Sequence, residues 1–383
     1  MNLYLNAVVL QLLARVRYLI GLIPRDLPRD VHSLVLTARS QLDTLAERLR
    51  MLDTDPKLLL PENESTRLRG VRRVIGDLDL LETVAIAVLN RWNNEDTWLN
   101  TLVDDVAREI AYPLPTPIVA GQSQQYYATY PALNLVVVPL AESRFLLHLP
   151  DLYHELAHPL LTTRNDPNLE PFQNALVRAY TTAIAHVAEE LRAEGARRGP
   201  AAYQQYLRCW TENWWSWVIE LFSDLFAAFT VGPAFGWSHF HLTAARGTPD
   251  PYAVPLFTQV EHPNDGVRMA AILFGLRRIG FDAEAGAIEA QWKRFLTCVQ
   301  IAPTPEHERC FPDSLVSRIA EFAHAGTLNL GCRIARRGQL GAVGTMLNDA
   351  WSQLWTRSST YAEWEAKAIE TYRAKLQGRL RAS

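Results

Sequence analysis

The sequence predicts a mainly helical chain of the α+β class, and three observations carry that expectation. Apolar residues recur every three to four positions through residues 1–112 and again through 281–383, the period of helices buried on one face. The best strand signal is the run of β-branched and aromatic side chains in residues 125–139. Between them lies His154-Glu155-Leu-Ala-His158, a pattern that places two ligating side chains on one face of a helix.

In the first lobe, residues 1–112, helices are expected near 3–22, 28–53, 65–92 and 95–111, punctuated by Pro24, Pro28 and Pro61. Leu34, Leu36, Leu42, Leu45, Leu49 and Leu52 form one stripe on the second of these. The N-terminal segment carries Arg15 and Arg17 inside its apolar run and has neither a basic n-region nor a small-residue cleavage site. It therefore reads as a packing helix, with no integral membrane segment and a cytoplasmic location. Nothing in this lobe suggests chemistry.

A second part, residues 113–280, opens with the proline-rich Tyr112-Pro-Leu-Pro-Thr-Pro, where helix is forbidden. The strand run follows, and Pro139 at its end marks it as an edge strand. An edge at 133–138 either offers free N–H and C=O groups to an extended peptide or belongs to a small sheet that merely packs. Long helices are expected at 168–196 and 201–230, the latter apolar nearly all round, with Trp210, Trp214, Trp217, Phe222 and Phe226. His239 and His241 alternate as in a strand or loop, and a helix starts at Pro263. The third part, 281–383, returns to helices near 283–300, 311–335 and 341–378.

A chain of 383 residues with 48% hydrophobic and 21% charged residues is long enough for two or three lobes of ordinary globular composition. A formal net charge of −3 leaves no electrostatic footprint for nucleic acid. The four cysteines, Cys209, Cys298, Cys310 and Cys332, make no CxxC pair and read as reduced thiols.

The chemistry concentrates in the second part. His154 and His158 can offer two imidazole nitrogens to one metal ion, while Glu155 sits on the flank, where a carboxylate can take a proton from water activated by the ion. Zinc is the usual ion for such a nitrogen-rich, open site. Pro159 follows the second ligand and is expected to kink or stop the helix. Downstream, Glu220 and Asp224 lie four apart on an apolar helix, so both carboxylates face one place and need partners.

At this point the chain resembles the gluzincin metallopeptidases, which pair a His-Glu-x-x-His helix with a later Glu-x-x-x-Asp helix. Glu261-His262-Pro263-Asn-Asp-Gly-Val-Arg268 is similar to the His-Pro-x(4)-Arg segment of the HtpX and CaaX-prenyl-endopeptidase branch. The resemblance covers roughly residues 125–275, and it implies a zincin-like metallopeptidase core with a small edge-stranded sheet, flanked by N- and C-terminal helical lobes. It implies Zn²⁺ held by His154, His158 and Glu220, Glu155 as general base, and Asp224 bonded to His154. His262 and Arg268 would then lie near the substrate carbonyl or the ligands, as catalytic residues able to stabilise an oxyanion. The function so implied is hydrolysis of a peptide or protein substrate. Two rivals stand beside it: a non-catalytic binding protein that keeps a structural metal site, and a metal-dependent hydrolase of other substrates. A structural site would be closed by four protein ligands, a catalytic one left open.

Overall fold

The computed structural model describes residues 2–24, 26–123, 126–198, 200–246, 250–255 and 258–382; Gln125, at the start of the expected strand run, lies outside them. The protein is mainly helical with one small mixed sheet, the class expected. It divides into two compact units: residues 1–100 with 117–140, and residues 101–116 with 141–383.

The first unit holds α1 (Asn2–Leu22), α2 (His32–Thr54), α3 (Glu64–Leu80), which passes through a π-helical turn at Leu81–Ile86 into α4 (Ala87–Arg91), and the start of α5 (Asn94–Ile110). Leu5, Val9, Leu12, Val16 and Leu19 of α1 are buried with Leu34, Leu42, Leu45 and Leu49 of α2. Leu36, counted in the α2 stripe, is 68% exposed: it lies off the arc of Leu34, Ala38 and Leu42 that faces the core. The Leu5–Leu22 window of α1 is long and apolar enough to cross a membrane by length and composition alone, despite Arg15 and Arg17. Arg15 is held by ion pairs with Asp79 and Glu82 at 2.8 and 2.5 Å.

The sheet belongs to this unit, and here the structure corrects two expectations. Its order is β1 (Ile118–Gly121), β3 (Leu135–Val138), β2 (Ala128–Tyr130), with β3 parallel to β1 and antiparallel to β2. The 133–138 segment is thus the central strand, with both of its edges paired, and cannot receive a peptide by strand addition. Pro139 misled because it falls just past the strand, where no ladder bond is lost. The expected single run is split by Pro131 and by Asn134, which turns the chain in the left-handed region at φ 47°. The outer edge of β1 is covered as well. Asn100 accepts from Val119 N at 2.9 Å and donates to its carbonyl at 2.7 Å, and Asp96 accepts from Gly121 N at 2.8 Å.

The expected three-part split at 112 and 280 also differs from the two units found. Successive inward residues of the strands, Ile118 and Ala120 on β1 and Leu135 and Val137 on β3, are buried in the same core as α1–α4. The sheet therefore goes with the N-terminal helices.

The second unit contains α6 (Asp151–Thr162), α7 (Glu170–Arg198), α8 (Pro200–Val231), α9 (Pro233–Arg246), α10 (Asp265–Arg278), α11 (Asp282–Val299), α12 (Pro305–Cys310), α13 (Asp313–Asn329), α14 (Ala342–Thr356) and α15 (Tyr361–Ala382). The helix expected over 341–378 is two, α14 and α15, broken near Arg357. His239 and His241 lie on α9 and not on a strand or loop. The central element is α8, which packs on α6, α7, α10 and α13. It ends at Gly232, whose φ of +78° suits glycine and whose N–H reaches the Ala228 carbonyl, and Pro233 then opens α9.

Candidate metal centre

Three helices bring the site together. On α6, His154 and His158 are one turn apart, and the helix runs through Pro159 to Thr162 without ending there. Proline lacks only the N–H that would have bonded the Glu155 carbonyl, and the turn survives that loss. The neighbouring Leu156 carbonyl accepts from the Tyr112 hydroxyl at 2.9 Å. On α8, Glu220 and Asp224 sit on the face toward α6, among the buried Trp214, Trp217, Leu221 and Phe222.

The third contributor is α10 with the segment before it. Its first turn is capped by Asn264, which accepts from Val267 N at 3.0 Å, so the helix begins at Asp265, just after the expected Pro263. Gly275 lets α10 lie close on α8: a Cβ there would stand 2.9 Å from a Leu225 methyl. That approach brings Arg268 to Asp224.

The ligating atoms converge. His154 Nε2 is 3.2 Å from His158 Nε2 and 3.4 Å from Glu220 Oε2, and His158 Nε2 is 3.9 Å from Glu220 Oε1. Nitrogens on one tetrahedral zinc, bonded at about 2.0–2.1 Å, stand about 3.3 Å apart. The two histidines match that spacing. Glu220 Oε2 is buried and no hydrogen bond closes on it, although His262 Nδ1 lies 3.0 Å away. A buried acceptor left in this way suits a cation. Among the described residues, His154, His158 and Glu220 are the only group of three or more side chains able to hold one metal ion. The residues present fit a metal.

Behind the ligands, His154 Nδ1 meets Asp224 Oδ1 at 2.8 Å. Asp224 is fully buried and receives Arg268 through two bonds of 2.7 Å, Nε to Oδ2 and a terminal nitrogen to Oδ1. Arg268 thus engages Asp224, beside the candidate ligands, which is one of the two places expected for it. His262 has a side chain 61% exposed and stands beside Glu220. Glu155 is buried next to His158, whose protonation its charge favours.

The charges are strongly coupled. Burial pushes the His154 imidazole down, but the hydrogen bond to Asp224 and the nearby Glu220 carboxylate outweigh it and hold it up at about 10. Burial and the charge of His154 push His158 down. Burial opposes ionisation of Glu220, yet His154 and His262 hold it well below the usual carboxylate range. Asp224 is likewise held low, against its burial, by Arg268. In the metal-free cluster a proton on His154 therefore balances Glu220.

Some neighbours carried no signal in the sequence. Phe235 of α9 stacks near His154, with ring centroids 6.2 Å apart, and Ser238 donates to Asp151 in the first turn of α6 at 3.3 Å. Both come from α9, whose helical period was hidden by the alternation around His239. His239 lies 3.3 Å from the Asp265 carbonyl and His241 packs against His148, so the two do not converge on one point.

No family model, curated protein or solved structure matches the chain.

Proposed function

We propose that the protein is a zinc-dependent peptidase of the gluzincin type. The observation that carries this reading is the convergence of His154, His158 and Glu220, with Asp224 bonded to the far nitrogen of His154. When bound, zinc would polarise a scissile carbonyl and make water a stronger acid. The chain supplies the rest. Glu155 accepts the proton of the attacking water and returns it to the leaving amine. The exposure of His262 at the rim supports a role in donating to the carbonyl oxygen as charge develops there. Peptide alignment by strand addition at 133–138 is no longer part of the reading.

Three protein ligands, not four, among the described residues favour an open coordination position, and hence catalysis, over the structural-metal alternative.

The test has two steps. Elemental analysis of the purified protein should give one zinc per chain, lost or weakened in Glu220→Ala. A quenched fluorescent peptide library should then be cleaved by the native protein, with the rate reduced by about 10²–10⁴ in Glu155→Gln while zinc is retained. Hydrolysis unchanged in Glu155→Gln would refute its role as base. Zinc bound without any cleavage would favour the binding-protein reading.

A further inference from the structure

We propose that Arg268 is a positioning residue of the metal centre: its guanidinium fork fixes the Asp224 carboxylate, which fixes the His154 ring with Nε2 turned toward His158 and Glu220. The inference rests on the reading that this triad holds an ion, and it concerns how the site is built, not what is cleaved.

The geometry determines the direction of each bond. An ionised carboxylate can only accept, and Arg268 occupies one oxygen through Nε and the other through a terminal nitrogen, both at 2.7 Å. The oxygen it shares, Oδ1, is the one 2.8 Å from His154 Nδ1. With both Asp224 oxygens accepting from Arg268, Nδ1 supplies the hydrogen of its bond to Oδ1, and the lone pair of Nε2 is left for a metal. Without the fork the Asp224 carboxylate is free to rotate, and the orientation of the His154 ring is no longer set.

An oxyanion role suits Arg268 poorly, because its side chain is only 18% exposed and two of its nitrogens already serve Asp224. Lysine cannot replace it, since one ammonium does not hold both carboxylate oxygens in plane. The arrangement is anchored by the backbone: the Asn264 cap fixes where α10 starts, and Gly275 fixes how closely it lies on α8. In the sequence, Asp224 and Arg268 stand 44 residues apart with no periodicity linking them.

The experiment is zinc affinity by chelator competition, with the visible spectrum of the cobalt-substituted protein as a report on ligand geometry. Native protein is compared with Arg268→Gln, Arg268→Lys, Asp224→Asn and the double variant Asp224→Asn/Arg268→Gln. Arg268→Gln should weaken zinc about 10–100-fold and alter the cobalt spectrum, with only partial recovery in Arg268→Lys. On the Asp224→Asn background, Arg268→Gln should change affinity by less than about twofold, because its route to the metal is already gone. Circular dichroism of the chelator-treated proteins checks folding. If Arg268→Gln alone does not fold, the comparison of Asp224→Asn with the double variant and of native with Arg268→Lys decides, since neither leaves a buried carboxylate without a cation.

Native affinity in Arg268→Gln, or an equal loss on both backgrounds, overturns the proposal. Zinc bound with this coupling but no peptide cleaved refutes the peptidase reading alone. A native chain that takes up no metal refutes both.

Discussion

Metal uptake by this protein should release protons, and the amount follows from the cluster. In the metal-free state His154 is held at about 10, against an ordinary value near 6.5, by its hydrogen bond to Asp224 and the nearby Glu220 carboxylate, which outweigh its burial. A metal must take the place of that proton. At pH 7, three units below, the apparent affinity is about 10³-fold under its limiting value at high pH, and each unit of rising pH should regain about tenfold. His158 is pushed down and Glu220 lies well below its ordinary range, so near neutrality neither adds a proton to the release. We expect at least about one proton per ion between pH 7 and 8.5. Titration calorimetry with zinc, repeated in buffers of different ionisation enthalpy, counts it directly. Chelator competition at several pH values gives the slope. Affinity independent of pH across that window, with no proton released, would show that His154 is not the protonated partner of Glu220, and the electrostatic account of the site would fall.

Three further outcomes are expected. The folded pKa of His154 lies above its unfolded value, so its contribution to metal-free stability is full below about pH 6.5 and is lost as pH rises toward 10. Urea unfolding of the chelator-treated protein should therefore weaken by up to about 1.4 kcal/mol per unit from pH 7 to 8.5; a flat profile contradicts this. Arg67 is fully buried and donates to the Leu52 carbonyl at 2.7 Å and to Asn6 at 2.6 Å, so Arg67→Ala should cost about 3 kcal/mol in urea unfolding. A change under 1 kcal/mol would mean that water replaces it. Gly232→Ala should cost about 1–2 kcal/mol from its φ of +78°, because the new methyl, 3.5 Å from Phe281, meets only ordinary contacts; an unchanged thermal midpoint would show that the turn relaxes.

Local features were legible in the sequence because they depend on short spacings. The helices of residues 1–110 appear close to where periodicity put them, since one-sided burial writes itself every three to four residues. His154, His158, Glu220 and Asp224 were readable for the same reason: each pair is one helical turn apart, and turn geometry fixes its shared face. The sheet order was not readable. Three strands of three or four residues give no signal of which lies in the middle, and that depends on the turn at Asn134 and on which strand edges Asn100 and Asp96 cover. Nor was the division of the chain, because the strands' inward faces bury among helices that reach back as far as Leu5. The partner of Arg268 was decided by tertiary structure alone. The sequence marks it as a cation near a motif, but only the packing of α10 on α8 brings its fork to a buried carboxylate.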